Sequence, residues 1–334
     1  MRPITEIIKH GKTDNKPIWL MRQAGRYLPE FREIRSKNQD FIKLCLNENL
    51  SSEITVQPLR RFNLDAAIIF SDILLVPFAL GQSVKFKKDF GPLLGEIDFN
   101  KISKVNEMQF IDKLKPVYNA LKKTKNKTEL KNKDLIGFVG APWTILIYML
   151  NQKSPKNEDI ELNLKDKKFV EDLLEIIVRF LKIHIRSQIE NGATIIQIFD
   201  SWAGLLNKRD YDKYIYNPTM DLVSFVKSKK TPVICFPKGI NDYKSYVSLV
   251  KPDVISIDHD VDPRKISENI DITIQGGLNP NFLIGDKEEL KVNVKKYLDI
   301  FKDKPYIFNL GHGVLPNTDP GMVDYLVKFV KNYS

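Results

Sequence analysis

The chain has 334 residues, 43% of them hydrophobic and 28% charged, with 52 Lys and Arg against 42 Asp and Glu for a formal net charge of +10. That is a globular composition, long enough for one large domain or two small ones, and it lacks the run of about 18 apolar residues a transmembrane helix needs. Two cysteines, Cys45 and Cys235, make neither a disulfide framework nor a metal-ligand spacing, which fits a reducing cytoplasm and burial of both thiols. Met1 to Gly11 carries no signal-peptide core. The positive balance does not by itself read as nucleic-acid binding: the lysines are scattered, densest from Lys113 to Lys133, with no alternation of basic and aromatic residues. A positive field serves a small polyanion equally well.

Short apolar segments recur along the chain. The first, Ile18–Arg22, opens into Gln23, Ala24, Gly25 and Arg26, with Arg32 and Arg35 close behind. An apolar run emptying into guanidinium groups reads as a strand end beside a site for several carboxylates or phosphates. Further strands are predicted at Ala66–Phe70, Leu135–Gly140, Thr194–Phe199, Pro232–Phe236, Val254–Asp258, Ile272–Gln275 and Tyr306–Leu310. Their nearly continuous apolar character suits strands buried on both faces. Helical patterns lie between them. Phe169 to Glu190 is the clearest, closed by Asn191-Gly192. Others cover Glu53–Phe62, Lys104–Thr124, Lys208–Lys227, Asn241–Leu249, Lys287–Phe301 and Gly321–Asn332. Eight strands alternating with helices predict a single-domain (β/α)8 barrel over residues 1–334, with a doubly wound open sheet as the alternative. The polar segment from Asn151 to Glu161 reads as an ordinary surface loop or as a lid.

In a barrel the site lies beyond the C-terminal ends of the strands. The residues found there are Arg22, Gln23 and Arg26; Ser71 and Asp72; Trp143, Thr144 and Tyr148; Asp200, Ser201 and Trp202; Lys238; Asp258 and His259; Gly276 and Gly277; and His312 between two glycines. Asp72 sits in an apolar run, so its carboxylate needs donors: it caps a helix, pairs with an arginine, or accepts N–H groups of a ligand. Ser201 fits a helix cap, and no nucleophile elbow surrounds it. A lone arginine is usually a structural ion pair, but Arg22 and Arg26 share one outlet. No Walker loop, dinucleotide-binding glycine motif or zinc spacing is present, and the site reads as needing no cofactor and no metal.

These residues resemble the uroporphyrinogen decarboxylase family. The run Pro17–Arg26 followed by Tyr27-Leu28-Pro29-Glu30-Phe31-Arg32 matches its N-terminal signature, and Gly137–Thr144 with Tyr148 matches a second. Phe70–Leu74, Ser201–Gly204 and Asn309–Gly313 follow in the family's order. The resemblance implies a cofactor-free barrel, a homodimer with facing clefts, a cytoplasmic location, and decarboxylation of the four acetate arms of uroporphyrinogen III. It implies that Arg22, Arg26 and Arg35, with the 22–26 segment, hold substrate carboxylates. It also implies that Asp72 accepts pyrrole N–H groups, that Tyr148, Ser201 and His312 contact substrate arms, and that Phe199 lines the pocket. Asp72, Arg22, Tyr148 and His312 are thereby the catalytic candidates. Asn151-Gln152, His259 and Gly276-Gly277-Leu278-Asn279-Pro280 depart from the family pattern.

Overall fold

A computed structural model describes residues 2–12, 16–87, 90–155 and 166–333. Seven parallel strands form one curled sheet: β1 (Ala66–Ile68), β4 (Asp134–Gly140), β5 (Ile195–Asp200), β6 (Val233–Pro237), β7 (Val254–Ile257), β8 (Thr273–Gly276) and β9 (Tyr306–Ile307), in that spatial order. A short antiparallel hairpin, β2 (Val84–Lys87) and β3 (Gly91–Leu94), stands apart. Most strand residues are apolar on both faces, with alternate side chains pointing into the barrel and the others packing under the surrounding helices. The buried polar residues Gln197, Ser256 and Gln275 are joined by hydrogen bonds. Ile136, Ile195, Ile234, Val254 and Ile307 form the interior cluster. The N-terminal helix Pro3–His10 plugs its lower end with Ile4 and Ile7. Thr5 pins that plug by donating its hydroxyl (2.6 Å) and backbone N–H (3.0 Å) to Asp134, the first residue of β4.

The predicted first strand, Ile18–Arg22, is corrected. It survives as one parallel bridge, Ile18 to Phe308. Phe308 N–H donates to Pro17 O (2.8 Å), Trp19 N–H to Phe308 O (3.3 Å), and Asp65 N–H to Ile18 O (2.9 Å). The segment therefore closes the seam between β9 and β1, in the place of an eighth strand. It cannot extend as a ladder, because side chains take the next backbone donors. Leu20 N–H donates to the Gln23 amide oxygen (3.0 Å) and Met21 N–H to that of Asn309 (3.0 Å).

The helix predicted at Phe169–Glu190 is Lys167–Glu190, and Gly192 past its end has φ +123°, a left-handed conformation glycine adopts without Cβ strain. The helix predicted at Lys208–Lys227 begins instead with a π-helical turn, Asp212–Tyr216, before Asn217–Ser228. Of the segment read as loop or lid, Lys153 bridges antiparallel to Leu93 of the hairpin; residues 156–161 lie outside the described ones.

Candidate active site

The first apolar segment ends in a tight turn that aims Arg22 at the barrel mouth. Arg22 has φ +59°, an unfavourable conformation for a residue with a Cβ. The turn is held from both sides: Gln23 N–H donates to Leu20 O (3.0 Å), and Val314 N–H donates to Met21 O (2.9 Å). Gly313 makes room for the side chain, since a Cβ there would stand 2.3 Å from Arg22 Cδ and 2.6 Å from Cγ. Gln23 itself turns inward. Its amide accepts from Leu20 and donates to Ala66 O (2.9 Å), and it is buried, so its side chain splices the turn to β1.

Asp72 follows β1. The loop that carries it is fastened by hydroxyls of the helix Glu48–Arg61, with Ser51 donating to Phe70 O (2.6 Å) and Phe70 N–H donating to Thr55 (2.9 Å). One carboxylate oxygen of Asp72 accepts Leu74 N–H (2.8 Å) at the start of the helix Leu75–Leu80. The other has no partner among the described residues and keeps access to the cleft. Burial pushes the carboxyl up to about 6, against the opposing pull of the Leu74 N–H and the Arg22 charge. The group is therefore ionised in most molecules at pH 7, but less firmly than an ordinary aspartate.

Arg22 is exposed to solvent, yet the protein around it lowers its pKa by desolvation, against the stabilising charge of Asp72. Arg26, exposed one turn further on, adds a second positive charge to this neighbourhood. Tyr148 lies on the helix Pro142–Asn151, its ring edge-on to Trp202 with centroids 6.0 Å apart. Burial raises its phenol. That helix is locked to β5: Trp143 donates to Trp202 O (2.9 Å) and Thr144 to the carboxylate of Asp200 (2.7 Å). Ser201 comes next, half-buried, with no hydrogen bond of its own side chain among the described residues. Phe199 packs edge-on against Phe138 (5.7 Å) and Phe236 (6.3 Å).

His312 accepts Gly313 N–H at Nδ1 (2.7 Å), which assigns the proton to Nε2. Burial first, then the charges of Arg22, Lys238 and His259, push it down to about 3. It is a neutral hydrogen-bond donor at physiological pH. Arg35 stands on the flank. Its guanidinium donates to Asn38 O and lies 5.8 Å from the Phe41 ring, which packs on Phe70.

Arg22, Asp72, Tyr148 and His312 are thus one electrostatic group, Arg26 adjoins it, and Phe199 and Ser201 stand at the C-terminal end of β5. Lys238 and His259 reach it as well. Their signal in the sequence was the same as for the others: a polar side chain just beyond a strand. Cys235, in contrast, is buried in β6 with its thiol pushed up to about 12 by desolvation.

Comparison with known proteins agrees with this geometry. The family model for uroporphyrinogen decarboxylase matches residues 1–333. A uroporphyrinogen decarboxylase of Rickettsia bellii is 40% identical over 96% of each chain, and one of Rickettsia rickettsii is 39% identical over all of this chain and 97% of its own. A solved methyltransferase from Methanosarcina mazei has the same fold, with a TM-score of 0.80 at 16% identity over 97% of this chain and 96% of that one. With the whole chain matched and the barrel mouth built from the residues of its signatures, this protein belongs to the uroporphyrinogen decarboxylase family.

Proposed function

We propose that this chain removes the carboxyl groups of the four acetate arms of uroporphyrinogen III, giving coproporphyrinogen III and carbon dioxide, with no cofactor. One observation carries this reading: a single mostly ionised carboxylate, Asp72, within electrostatic reach of Arg22 at the barrel mouth of a chain matched by the family over its whole length. A substrate with eight carboxylates suits the positive charges around the mouth. Loss of carbon dioxide leaves an electron pair, and the pyrrole can accept it once a ring carbon is protonated. Protonation makes the ring a cation, which the Asp72 carboxylate stabilises while accepting pyrrole N–H groups. The bond from the acetate methylene to the carboxylate then breaks, and its electron pair enters the ring. A second proton converts the methylene to a methyl group, the ring carbon returns the first, and one proton is consumed per carbon dioxide.

Arg22 and Arg26 hold the departing carboxylate, with Arg35 on the flank; Tyr148, Ser201 and neutral His312 donate to the arms, and Phe199 supports the macrocycle. Of the donors, Arg22 is the one whose acidity the site raises. Burial weakens the Tyr148 phenol as an acid, and His312 carries no imidazolium proton. Arg22 is the gripping group, and as a guanidinium it stays protonated through the physiological range. Gln23 contributes by shaping the turn. Residues 1–334 act as one catalytic domain in a cytoplasmic homodimer with facing clefts; nucleic acid and membrane have no part. In support, no helix among the described residues is long and apolar enough to cross a membrane. The test is an anaerobic assay in the dark. Coproporphyrinogen should appear through seven-, six- and five-carboxylate intermediates. Tight binding of uroporphyrinogen without product would replace the decarboxylase with a carrier.

A further inference from the structure

The strand order divides the mouth into two arcs. Asp72, Tyr148 and Ser201 follow the neighbouring strands β1, β4 and β5, whereas Lys238 follows β6, His259 follows β7 and His312 follows β9. With the Ile18 segment closing the ring, β6 stands across the barrel from Arg22, and β7 across from Asp72. The second arc is rigidly built. Asp258 accepts Gly239 N–H (2.7 Å) and the Tyr243 hydroxyl (3.2 Å) on one oxygen and Asp260 N–H (3.1 Å) on the other. One buried carboxylate thus staples the loop after β6 to the loop after β7. Gly311 packs onto the same backbone, where a Cβ would stand 2.3 Å from His259 N.

These loops gather one ammonium and two imidazoles that the protein leaves without partners. Lys238, half-buried, makes no ion pair among the described residues. His259 Nδ1 is buried with no hydrogen-bond partner. Among the described residues, the carboxylate paired with its ring is that of Asp260, 3.8 Å from Nε2 and 80% exposed. Both oxygens of Asp258 are occupied. His312 Nε2 carries a proton and has no acceptor among the described residues. An ammonium and two imidazoles whose polar atoms lack protein partners are costly to crowd together unless a ligand with acceptor oxygens joins them.

We propose that Lys238 and His259, with the His312 imidazole between them and Arg22, form a second carboxylate subsite, which holds propionate arms that survive the reaction while Arg22 and Arg26 grip the arm that is cleaved. This rests on the decarboxylase reading for its substrate. It adds to that reading a division of labour between two sides of the mouth: the Arg22 side acts on the leaving group, and the Lys238 side positions the macrocycle. Interactions with an arm that does not react contribute binding that is equal in ground and transition states, so their loss appears in KM rather than in kcat.

The test uses coproporphyrin, which has four propionates and no acetate, as a probe read by fluorescence independently of turnover. In Lys238→Met, Kd should rise about tenfold, the scale of one lost hydrogen bond to a charged group. Lys238→Arg should recover most of it, and His259→Gln should weaken binding by a smaller factor. For uroporphyrinogen, KM in Lys238→Met should rise by a similar factor with kcat within about threefold. Unchanged Kd and KM in both Lys238→Met and His259→Gln, or a fall in kcat at constant KM, would overturn the subsite. Thermal melting matched to the wild type confines the effect to binding, and Lys238→Gln serves if the Met variant melts early. If the wild type binds coproporphyrin and Lys238→Met does not, yet no uroporphyrinogen is consumed, the decarboxylase reading fails and the subsite stands.

Discussion

Asp72 bears opposing demands. Its buried carboxylate caps the Leu75–Leu80 helix with one oxygen and keeps the other for the cleft. Asp72→Asn preserves the acceptor for Leu74 and removes the charge. We expect kcat to fall by about 10²–10³-fold with an unchanged circular dichroism spectrum, on the scale of losing one transition-state electrostatic partner; near-normal turnover would remove the carboxylate from the mechanism. In the wild type, kcat/KM should fall below about pH 6 as Asp72 takes up a proton, a limb the variant lacks. His312, held near 3, adds no limb between pH 5 and 8. The stability effect has the opposite sign. Asp72 is raised from about 3.9 unfolded to about 6 folded, so the folded state binds the extra proton and stability falls as pH rises through that window. Asp72→Asn should melt above the wild type at pH 7.5 and lose that advantage near pH 4. Legibility at this scale was uneven. Asp72 and Arg22 stood out because each ends an apolar run. The inward turn of Gln23 and the displaced acidity of Asp72 did not, because both depend on neighbours far along the chain.

At the scale of elements, the working unit is the turn at Arg22 together with the loop after β9. Met21 N–H is taken by Asn309, Met21 O by Val314, and the Arg22 side chain lies against Gly313. Gly313 does not have a positive φ, so alanine there brings a steric change alone. Gly313→Ala should displace the Arg22 side chain and cost about 10²-fold in kcat/KM, read by steady-state kinetics. An unchanged kcat/KM would show that Arg22 has room to spare. Six predicted strands agree with the observed ones to within a residue or two, whereas Tyr306–Leu310 is a strand only over Tyr306–Ile307, since Phe308 turns to the Ile18 segment and Leu310 makes an isolated bridge to Leu278. The Ile18–Arg22 segment misled because periodicity sees apolar side chains and not the backbone donors, which Gln23 and Asn309 take. The hairpin β2–β3 went unread: each strand is only four residues long, and Gly91 and Pro92 at the start of the second read as turn residues.

For the whole molecule the weak place is the seam. Ile18 N–H donates to Asp65 (2.7 Å), and the ammonium of Lys331, at the end of the helix Pro320–Lys331, closes on the same carboxylate. The last helix thereby ties the first barrel segment to β1. Asp65 is only 5% exposed. Lys331→Met leaves that charge without its cation, and a loss of about 3 kcal/mol is expected in urea unfolding, with Lys331→Arg recovering most of it. A change below about 0.5 kcal/mol would mean the seam is held by the Ile18 pairing alone.

The sequence by itself determined the alternation of strands and helices, and with it the set of loops at the mouth. Those follow from local periodicity and from where each apolar run stops. Only the tertiary structure decided that an unladdered segment closes the barrel, since a seam joins residues nearly three hundred apart. It also decided which polar side chains face the cleft and which serve the backbone. Gln23 and Asp72 are both polar residues just beyond an apolar run. One is spent on Leu20 and Ala66, and the other keeps an oxygen open beside Arg22, because burial and hydrogen bonding are set by what the fold brings alongside.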